Sequence, residues 1–208
     1  MDKDLELKIS ETIKSIFDGV DLRRLSGYQK RQMIFSHLCD NLEYDFDLLD
    51  RIHDNEVNRT RITRNPRQEL DSVVFNNKGI CSAISQYYKL LLEQVGIKSY
   101  CIICDDGTAV NHQFTMVYDE GHNAYSFDDI TSVIVGRGEK KDFFDYDIVQ
   151  AKSKGQGNKE IMDSEQFVVL PEEYIDYLVG RRQSFSETLT TLPTNVISIK
   201  SLMKSKEM

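Results

Sequence analysis

The stretch NNKGICSAISQYYKLLLEQVGI, residues Asn76–Ile97, decides how the rest of the chain is arranged. Its apolar side chains follow the i, i+3, i+4, i+7, i+8 and i+11 spacing of a helix with one buried face: Ile84, Tyr87, Tyr88, Leu91, Leu92 and Val95. Gly96 follows this pattern, where helices commonly end. The stretch therefore predicts a buried helix with Cys81 near its N-terminus, where unpaired N–H groups favour a thiolate.

Length, charge and cysteine usage restrict the class of protein. The 208 residues fit one domain with elaborations, and we expect a single domain over residues 1–208. The formal net charge of −8 disfavours broad nucleic-acid binding. The cysteines are scattered rather than arranged as a disulfide framework, which indicates a reducing compartment: Cys39, Cys81, Cys101 and Cys104.

The chain carries no recognisable targeting signal. Its N-terminal residues are charged and lack the apolar core of a secretory signal peptide. No apolar run reaches the roughly 18 residues that a membrane-spanning helix needs. We therefore expect a cytoplasmic protein with no membrane partner, and leave a leaderless export route open.

Helical patterns precede strand patterns along the chain. Helices are predicted near residues 5–17, 28–42 and 66–75, with a short one possible in residues 43–54. Alternating or β-branched runs then predict strands at residues 97–104, 112–118, 124–128 and 130–135. This order predicts an α+β fold, with helices packed on an antiparallel sheet.

Several segments are predicted to lie outside this helix-and-sheet body. Residues 119–121 predict a hairpin turn, and the Lys-, Gly- and Ser-rich residues 150–164 predict a mobile loop. The arginine-rich residues 59–67 predict a solvated segment or a rim for an acidic partner. Residues 196–199 predict an added edge strand, and residues 204–208 a frayed end.

Among the four histidines, His112 is the best candidate for a base that would serve Cys81. A thiolate nucleophile needs a base, and the base needs an orienting group. His112 opens a predicted strand in phase with Phe114 and Met116, so its ring should emerge at the end of a buried row. The other three are expected to be structural or solvated: His37, His53 and His122.

Two adjacent carboxylates, Asp128 and Asp129, are candidates for the orienting group. Both follow the strand that should return alongside His112. Tyr125 and Phe127 form one apolar row, which leaves Asp128 on the opposite face and Asp129 on theirs. From this strand phase we favour Asp128 and keep Asp129 as the alternative.

These motifs resemble those of the transglutaminase-like superfamily, the papain-like fold shared by transglutaminases and related bacterial cysteine peptidases. The matching features are Gly79-Ile80-Cys81 before a helix that ends at Gly96-Ile97, a strand that begins with His112, and Tyr125-Ser126-Phe127-Asp128 with Thr131 nearby. The lead-in HLCDNLEYD, residues 37–45, is also similar. The resemblance implies a core over residues 28–135, a helical extension over residues 1–27, and a partly flexible extension over residues 150–208.

The resemblance implies a cysteine-nucleophile enzyme that acts on peptide or protein amides. It would be a peptidase or amidase, or a transglutaminase or deamidase, with Cys81, His112 and Asp128 as its catalytic triad. The alternative is a catalytically silent protein-interaction module on the same fold. The chain departs from the family in having His112-Gln113-Phe114 where His-Ala-Trp is frequent, and Asp129 rather than Asp128 has the usual spacing to Thr131.

The second oxyanion-hole donor and the substrate are less well determined. Asn76, Asn77 and Gln113 are candidates for the donor, and the expected partner is a protein or peptide substrate. No cofactor is predicted, because residues 155–157 lack the helix and lysine of a phosphate loop. No zinc site is predicted either, because Cys101 and Cys104 lack further ligands and should point to opposite faces of a strand. The oligomeric state is not predicted.

Overall fold

A computed structural model describes residues 2–58, 65–104, 112–119, 124–146, 166–182 and 196–198. Its helices are α1 (Lys3–Ile16), a 3₁₀ turn (Leu22–Arg24), α2 (Gly27–Asn41), α3 (Phe46–Asn58), α4 (Pro66–Asn76), α5 (Cys81–Gln94), α6 (Ile130–Ile134), α7 (Lys140–Phe143) and α8 (Glu172–Leu178). Its strands are β1 (Glu43–Tyr44), β2 (Lys78–Gly79), β3 (Ser99–Cys104), β4 (His112–Asp119), β5 (Ala124–Asp128), β6 (Gln166–Val169) and β7 (Val196–Ser198).

Helix α5 lies in the main hydrophobic core, where it packs against α1, α2, α4 and the sheet. Its buried residues form an almost continuous run from Ala83 to Leu92. The helix ends as predicted, since Gly96 adopts a φ of 77° and the N–H of Ile97 returns to the carbonyl of Leu92 over 2.9 Å. Burial from nearly all sides stabilises α5 far more than its intrinsic helix propensity.

The sheet is antiparallel and has the order β5-β4-β3-β6-β7. One of its faces packs on the helices, and Val117 and Cys101 point towards that layer. The other face carries a second apolar cluster: Ile102, Cys104, Phe114, Met116, Phe127, Tyr146 and Phe167. The predicted α+β class is confirmed, as is the prediction that Cys101 and Cys104 point to opposite faces.

A separate parallel pair, β1 and β2, brings distant segments together beside the start of α5. Glu43 pairs with Lys78 and Tyr44 pairs with Gly79. Asn77 precedes β2 in the left-handed conformation, with a φ of 56°, and its carbonyl accepts from the N–H of Glu43 over 2.8 Å. This pairing holds Tyr44 next to the residues that lead into Cys81.

The strand predicted at residues 130–135 is wrong, because this segment forms helix α6. The β-branched composition of these residues favours a strand, but Asp129 caps a helix start by accepting from the N–H of Ser132 over 3.1 Å. Gly136 then ends the helix with a φ of 77°. Local capping therefore overrides composition here.

Other predicted segments are found close to where they were expected, or lie outside the described residues. The first helix ends at Ile16, the second spans Gly27–Asn41, and α4 begins at Pro66. Strand β7 lies at the edge of the sheet. The hairpin turn beyond residue 119, most of the arginine-rich segment, the loop at residues 150–164, and residues 199 and 204–208 fall outside the described part of the chain. None of the described helices is long and apolar enough to cross a membrane.

Shortening a buried side chain of α5 should destabilise the protein strongly. Leu91 is completely buried, and we expect Leu91→Ala to lower the free energy of unfolding by about 2–5 kcal/mol because it leaves a cavity. Urea denaturation provides the measurement. Leu7→Ala is the matched control, because Leu7 is 58% exposed, and it should change stability by less than about 0.5 kcal/mol. Equal losses in the two variants would contradict the central position of α5.

Candidate active site

Cys81 is the first residue of helix α5, and its side chain is partly accessible. The N-cap residue, Ile80, offers no side-chain hydrogen bond to the helix end. The partial positive charge of the first N–H groups therefore acts on whatever stands before them. Gly79 explains part of the local geometry, since a Cβ at this position would approach the Cβ of Val73 to 3.1 Å.

His112, at the start of β4, forms a hydrogen bond with the buried carboxylate of Asp129. Its Nε2 atom lies 2.9 Å from Oδ2 of Asp129, and its ring stacks on Phe114 at 5.7 Å between centroids. Asp129 is held in turn by the hydroxyl of Ser132, which donates to Oδ2 over 2.6 Å. Because Nε2 faces the carboxylate, Nδ1 is the ring nitrogen left for the hydrogen bond between His112 and Cys81.

The pKa values of these three groups favour a thiolate next to an imidazolium. Burial opposes the charge on His112, but the carboxylate of Asp129 and the Cys81 sulfur outweigh it and raise the His112 pKa to about 10. Burial also opposes ionisation of Asp129, yet His112 and Ser132 lower its pKa. For Cys81 the effect of burial is outweighed by the hydrogen bond and charge of His112, which lower the thiol pKa below its ordinary value.

The structure places Asp129, and not Asp128, beside His112, so the preference for Asp128 is corrected. Strand pairing sets Met116 opposite Phe127 and Thr115 opposite Asp128. Phe127 therefore shares the face of His112 and Phe114, and the next residue on that face is Asp129. The mistake was to look for the acid on the face opposite Phe127, because His112 itself belongs to the Phe127 face.

Asp128 points into the helical layer, where it forms a buried ion pair with Arg31. Nε of Arg31 lies 2.6 Å from Oδ2 and Nη2 lies 2.6 Å from Oδ1, a two-pronged contact. The hydroxyl of Tyr88 also donates to Oδ2 over 2.8 Å. These partners occupy both carboxylate oxygens of Asp128.

Tyr44 is a candidate site residue that the sequence did not reveal. Its hydroxyl hydrogen-bonds with both the backbone N–H and the sulfur of Cys81. Burial, followed by the nearby sulfur, raises the Tyr44 pKa well above its ordinary value, so the hydroxyl keeps its proton. The only signal in the sequence was the position of Tyr44 in the lead-in HLCDNLEYD; nothing there indicated contact with Cys81.

The proposed second donors are placed less favourably than Tyr44. The side-chain amide of Gln113 donates to the carbonyl of Ser82 over 3.2 Å and to the hydroxyl of Ser85 over 2.7 Å. The backbone N–H of Gln113, by contrast, hydrogen-bonds to the Cys81 sulfur. Asn76 and Asn77 are exposed at the end of α4. The Gln113 side chain thus braces the first turn of α5.

The other histidines and cysteines lie elsewhere in the fold. His37 is on α2, where Asn41 binds its backbone carbonyl over 2.7 Å, and His53 is exposed on α3. His122 lies outside the described residues. Within the described part of the chain, no group of three or more His, Cys, Asp or Glu side chains could hold a metal ion.

Comparisons with known proteins add little to this geometry. No protein-family model matches the chain, and no curated protein matches it. Among solved structures, one described as "Crystal structure of a TGase" is 16% identical, with a TM-score of 0.47. The match covers 67% of this chain but only 35% of that chain. Similarity at this level carries no argument about function, which therefore depends on the arrangement of the site residues.

The pKa directions predict selective reactivity among the four cysteines. Iodoacetamide should modify Cys81 first, with a rate that stays high below the free-thiol pKa of about 8.5 and falls only as pH drops through the lowered Cys81 pKa. Burial raises the pKa of Cys39 and of Cys101 to about 12, and Cys104 is fully buried, so these thiols should react slowly. Peptide mapping after labelling between pH 5 and 9 measures all four. Uniform labelling with a midpoint near the free-thiol value would contradict the expected thiolate.

Proposed function

We propose that this chain is a cysteine-nucleophile enzyme that acts on peptide or protein amides. The single observation that carries the proposal is His112, whose ring stands between the carboxylate of Asp129 and the sulfur of Cys81. In this proposal Cys81 is the nucleophile, His112 is the acid and base, and Asp129 orients the imidazole and stabilises its charged form. The resemblance of the surrounding motifs to the transglutaminase-like superfamily supports the same reaction class.

The first half of the reaction forms a thioester. The Cys81 thiolate attacks the amide carbonyl carbon, a C–S bond forms, and the carbonyl oxygen takes up the negative charge. His112, as imidazolium, then gives its proton to the amide nitrogen while the C–N bond breaks and the amine leaves. The hydrogen bond from Asp129 keeps the imidazole in the tautomer and orientation that both proton transfers require.

The oxyanion of this intermediate needs hydrogen-bond donors, and we assign two of them. The backbone N–H of Cys81 and the hydroxyl of Tyr44 lie within hydrogen-bond reach of each other. An oxygen between them accepts from both, once the Tyr44 proton turns from the sulfur to the new anion. Such donors act most strongly where water is excluded, and Tyr44 is already half-buried.

The second half of the reaction depends on the acyl acceptor. His112, now neutral, takes a proton from the incoming nucleophile as this attacks the thioester carbonyl, and the Cys81 thiolate leaves. With water as acceptor, the products are those of peptide hydrolysis or of glutamine deamidation. A primary amine as acceptor would instead give a new amide bond, which is a cross-link when the amine belongs to a lysine.

Comparison of wild type with Cys81→Ala in a cell lysate should test the reaction directly. We expect wild-type protein to produce peptide cleavage, side-chain deamidation or amine incorporation, each with its own mass change, and Cys81→Ala to produce none. Mass spectrometry of the lysate proteins distinguishes the three products. Binding of lysate proteins by both forms, without any product, would favour the interaction module over the enzyme.

Removing the Tyr44 hydroxyl should slow catalysis without abolishing the thiolate. We expect Tyr44→Phe to reduce kcat by on the order of 10²-fold, the usual effect of losing one oxyanion donor. The rate of Cys81 alkylation at neutral pH should remain within about threefold of wild type, since His112 still pairs with the sulfur. The matched control is Tyr87→Phe, which removes the 2.9 Å contact with Thr12 from the same helix and should leave kcat unchanged. Equal kcat values for Tyr44→Phe and wild type would exclude Tyr44 as the donor.

A further inference from the structure

The buried group around Asp128 is not part of the proposed reaction, yet it adjoins the acid that is. We propose that Arg31 is a positioning residue, which fixes Asp129 against His112 by gripping the neighbouring carboxylate of Asp128. This inference depends on the proposed function, because it concerns the same Cys81–His112 pair. We call the residues involved the Arg31 network: Arg31, Tyr88, Ser126, Asp128 and Asp145.

Arg31 uses its whole guanidinium group in this network. Two nitrogens hold the two oxygens of Asp128, and Nη1 reaches the hydroxyl of Ser126 over 2.8 Å and the carboxylate of Asp145 over 2.9 Å. The carbon of the guanidinium also lies 4.9 Å from the ring centroid of Phe144. Only 4% of the Arg31 side chain and none of the Asp128 side chain is exposed. A planar, fully bonded guanidinium leaves the carboxylate little freedom to move.

The network links the elements that carry the three proposed catalytic residues. Tyr88, which bonds to Asp128, lies two turns after Cys81 on the same face of α5. Asp128 is the last residue of β5 and is directly bonded to Asp129, the cap of α6. Arg31 therefore ties α2 to the nucleophile helix and to the strand end that presents the acid.

The backbone beyond β5 is fastened to the same carboxylate. The N–H of Asp145 donates to Oδ1 of Asp128 over 2.8 Å, and the N–H of Asp129 donates to the carbonyl of Phe143 over 2.9 Å. Asp145 adopts a φ of 54°, an uncommon conformation for a residue with a side chain. Such a conformation persists when its surroundings over-determine it, and here the bonds to Arg31 and Asp128 do so.

Charge provides a second reason for the arrangement. Asp128 and Asp129 are adjacent buried carboxylates, and two like charges so close disfavour each other's ionised form. Arg31 neutralises Asp128, so that Asp129 keeps its negative charge for His112. Loss or displacement of the guanidinium should therefore weaken the imidazolium–thiolate pair, although Arg31 has no described contact with Cys81 or His112.

The pH dependence of Cys81 alkylation separates a positioning role from a merely structural one. Arg31→Lys keeps the positive charge but cannot hold both oxygens in a planar fork. We expect the midpoint for Cys81 alkylation to rise by at least about one pH unit, which reduces the rate at pH 6 roughly tenfold. Asp129→Asn provides the scale of a full loss of the acid. Tyr88→Phe, which removes one hydrogen bond and keeps the ring, should shift the midpoint in the same direction by less.

A matched control is available on the same helix. Lys89 is buried and forms a 3.0 Å ion pair with Glu172 of α8. Lys89→Met should lower the free energy of unfolding, as the Arg31 variant does, but should leave the alkylation midpoint at the wild-type value. Urea denaturation of each variant, measured alongside alkylation, reports stability separately from the reactivity of the folded protein.

The outcomes distinguish the two levels of the proposal. Raised midpoints for Arg31→Lys and Tyr88→Phe, with Lys89→Met unchanged, support the positioning role. Wild-type midpoints in folded Arg31→Lys and Tyr88→Phe overturn it and leave the proposed function intact. If Arg31→Lys does not fold, Tyr88→Phe decides alone. A wild-type midpoint near the free-thiol value of about 8.5 overturns the proposed function and the positioning role with it.

Discussion

The hydrogen bond between His112 and Asp129, 2.9 Å from Nε2 to Oδ2, is the contact on which the site depends. Because it engages one ring nitrogen, it directs the other towards Cys81 and sets which tautomer the neutral ring can adopt. It also compensates the burial of both groups, since an unpaired charge inside a protein is strongly unfavourable. The raised His112 pKa and the lowered Asp129 and Cys81 pKa values are three consequences of this one arrangement.

The packing of the fold explains why this bond forms where it does. Helix α5 presents Cys81 at its N-terminus, β4 begins with His112, and the chain leaves β5 at Asp129 to start α6. Each group thus stands at the end of an element whose body is buried, which gives it a rigid support and partial access to solvent. The pairing of β1 with β2 adds Tyr44 to the same place from a segment far away in the chain.

Asp128 and Asp129 show how neighbouring residues of one type acquire different environments. Their side chains project on opposite sides of the sheet, so one meets Arg31 and Tyr88 while the other meets His112 and Ser132. The alternation of strand side chains separates them, although only one peptide bond lies between them. Arg31 balances the charge of one carboxylate, which leaves the other balanced by the imidazolium.

Much of the local structure could be predicted because it follows from short-range pattern. The spacing from Ile84 to Val95 and the stop at Gly96 determined α5, and alternation determined the strand that begins at His112. Residues 130–135 were mistaken for a strand because a single capping aspartate outweighed their β-branched composition. The assignment to Asp128 failed because the face of His112 was not followed across the pairing of β4 with β5.

By itself, then, the sequence determined that a cysteine begins a buried helix and that a histidine begins a strand in the sheet that follows. Tertiary structure decided which carboxylate meets that histidine, and that Tyr44 reaches the sulfur. Arg31 and Asp128, which form the tightest buried pair near the site, are 97 positions apart in the chain. Such contacts depend on strand register and on how helices pack against the sheet, and periodicity within one segment holds no information about either.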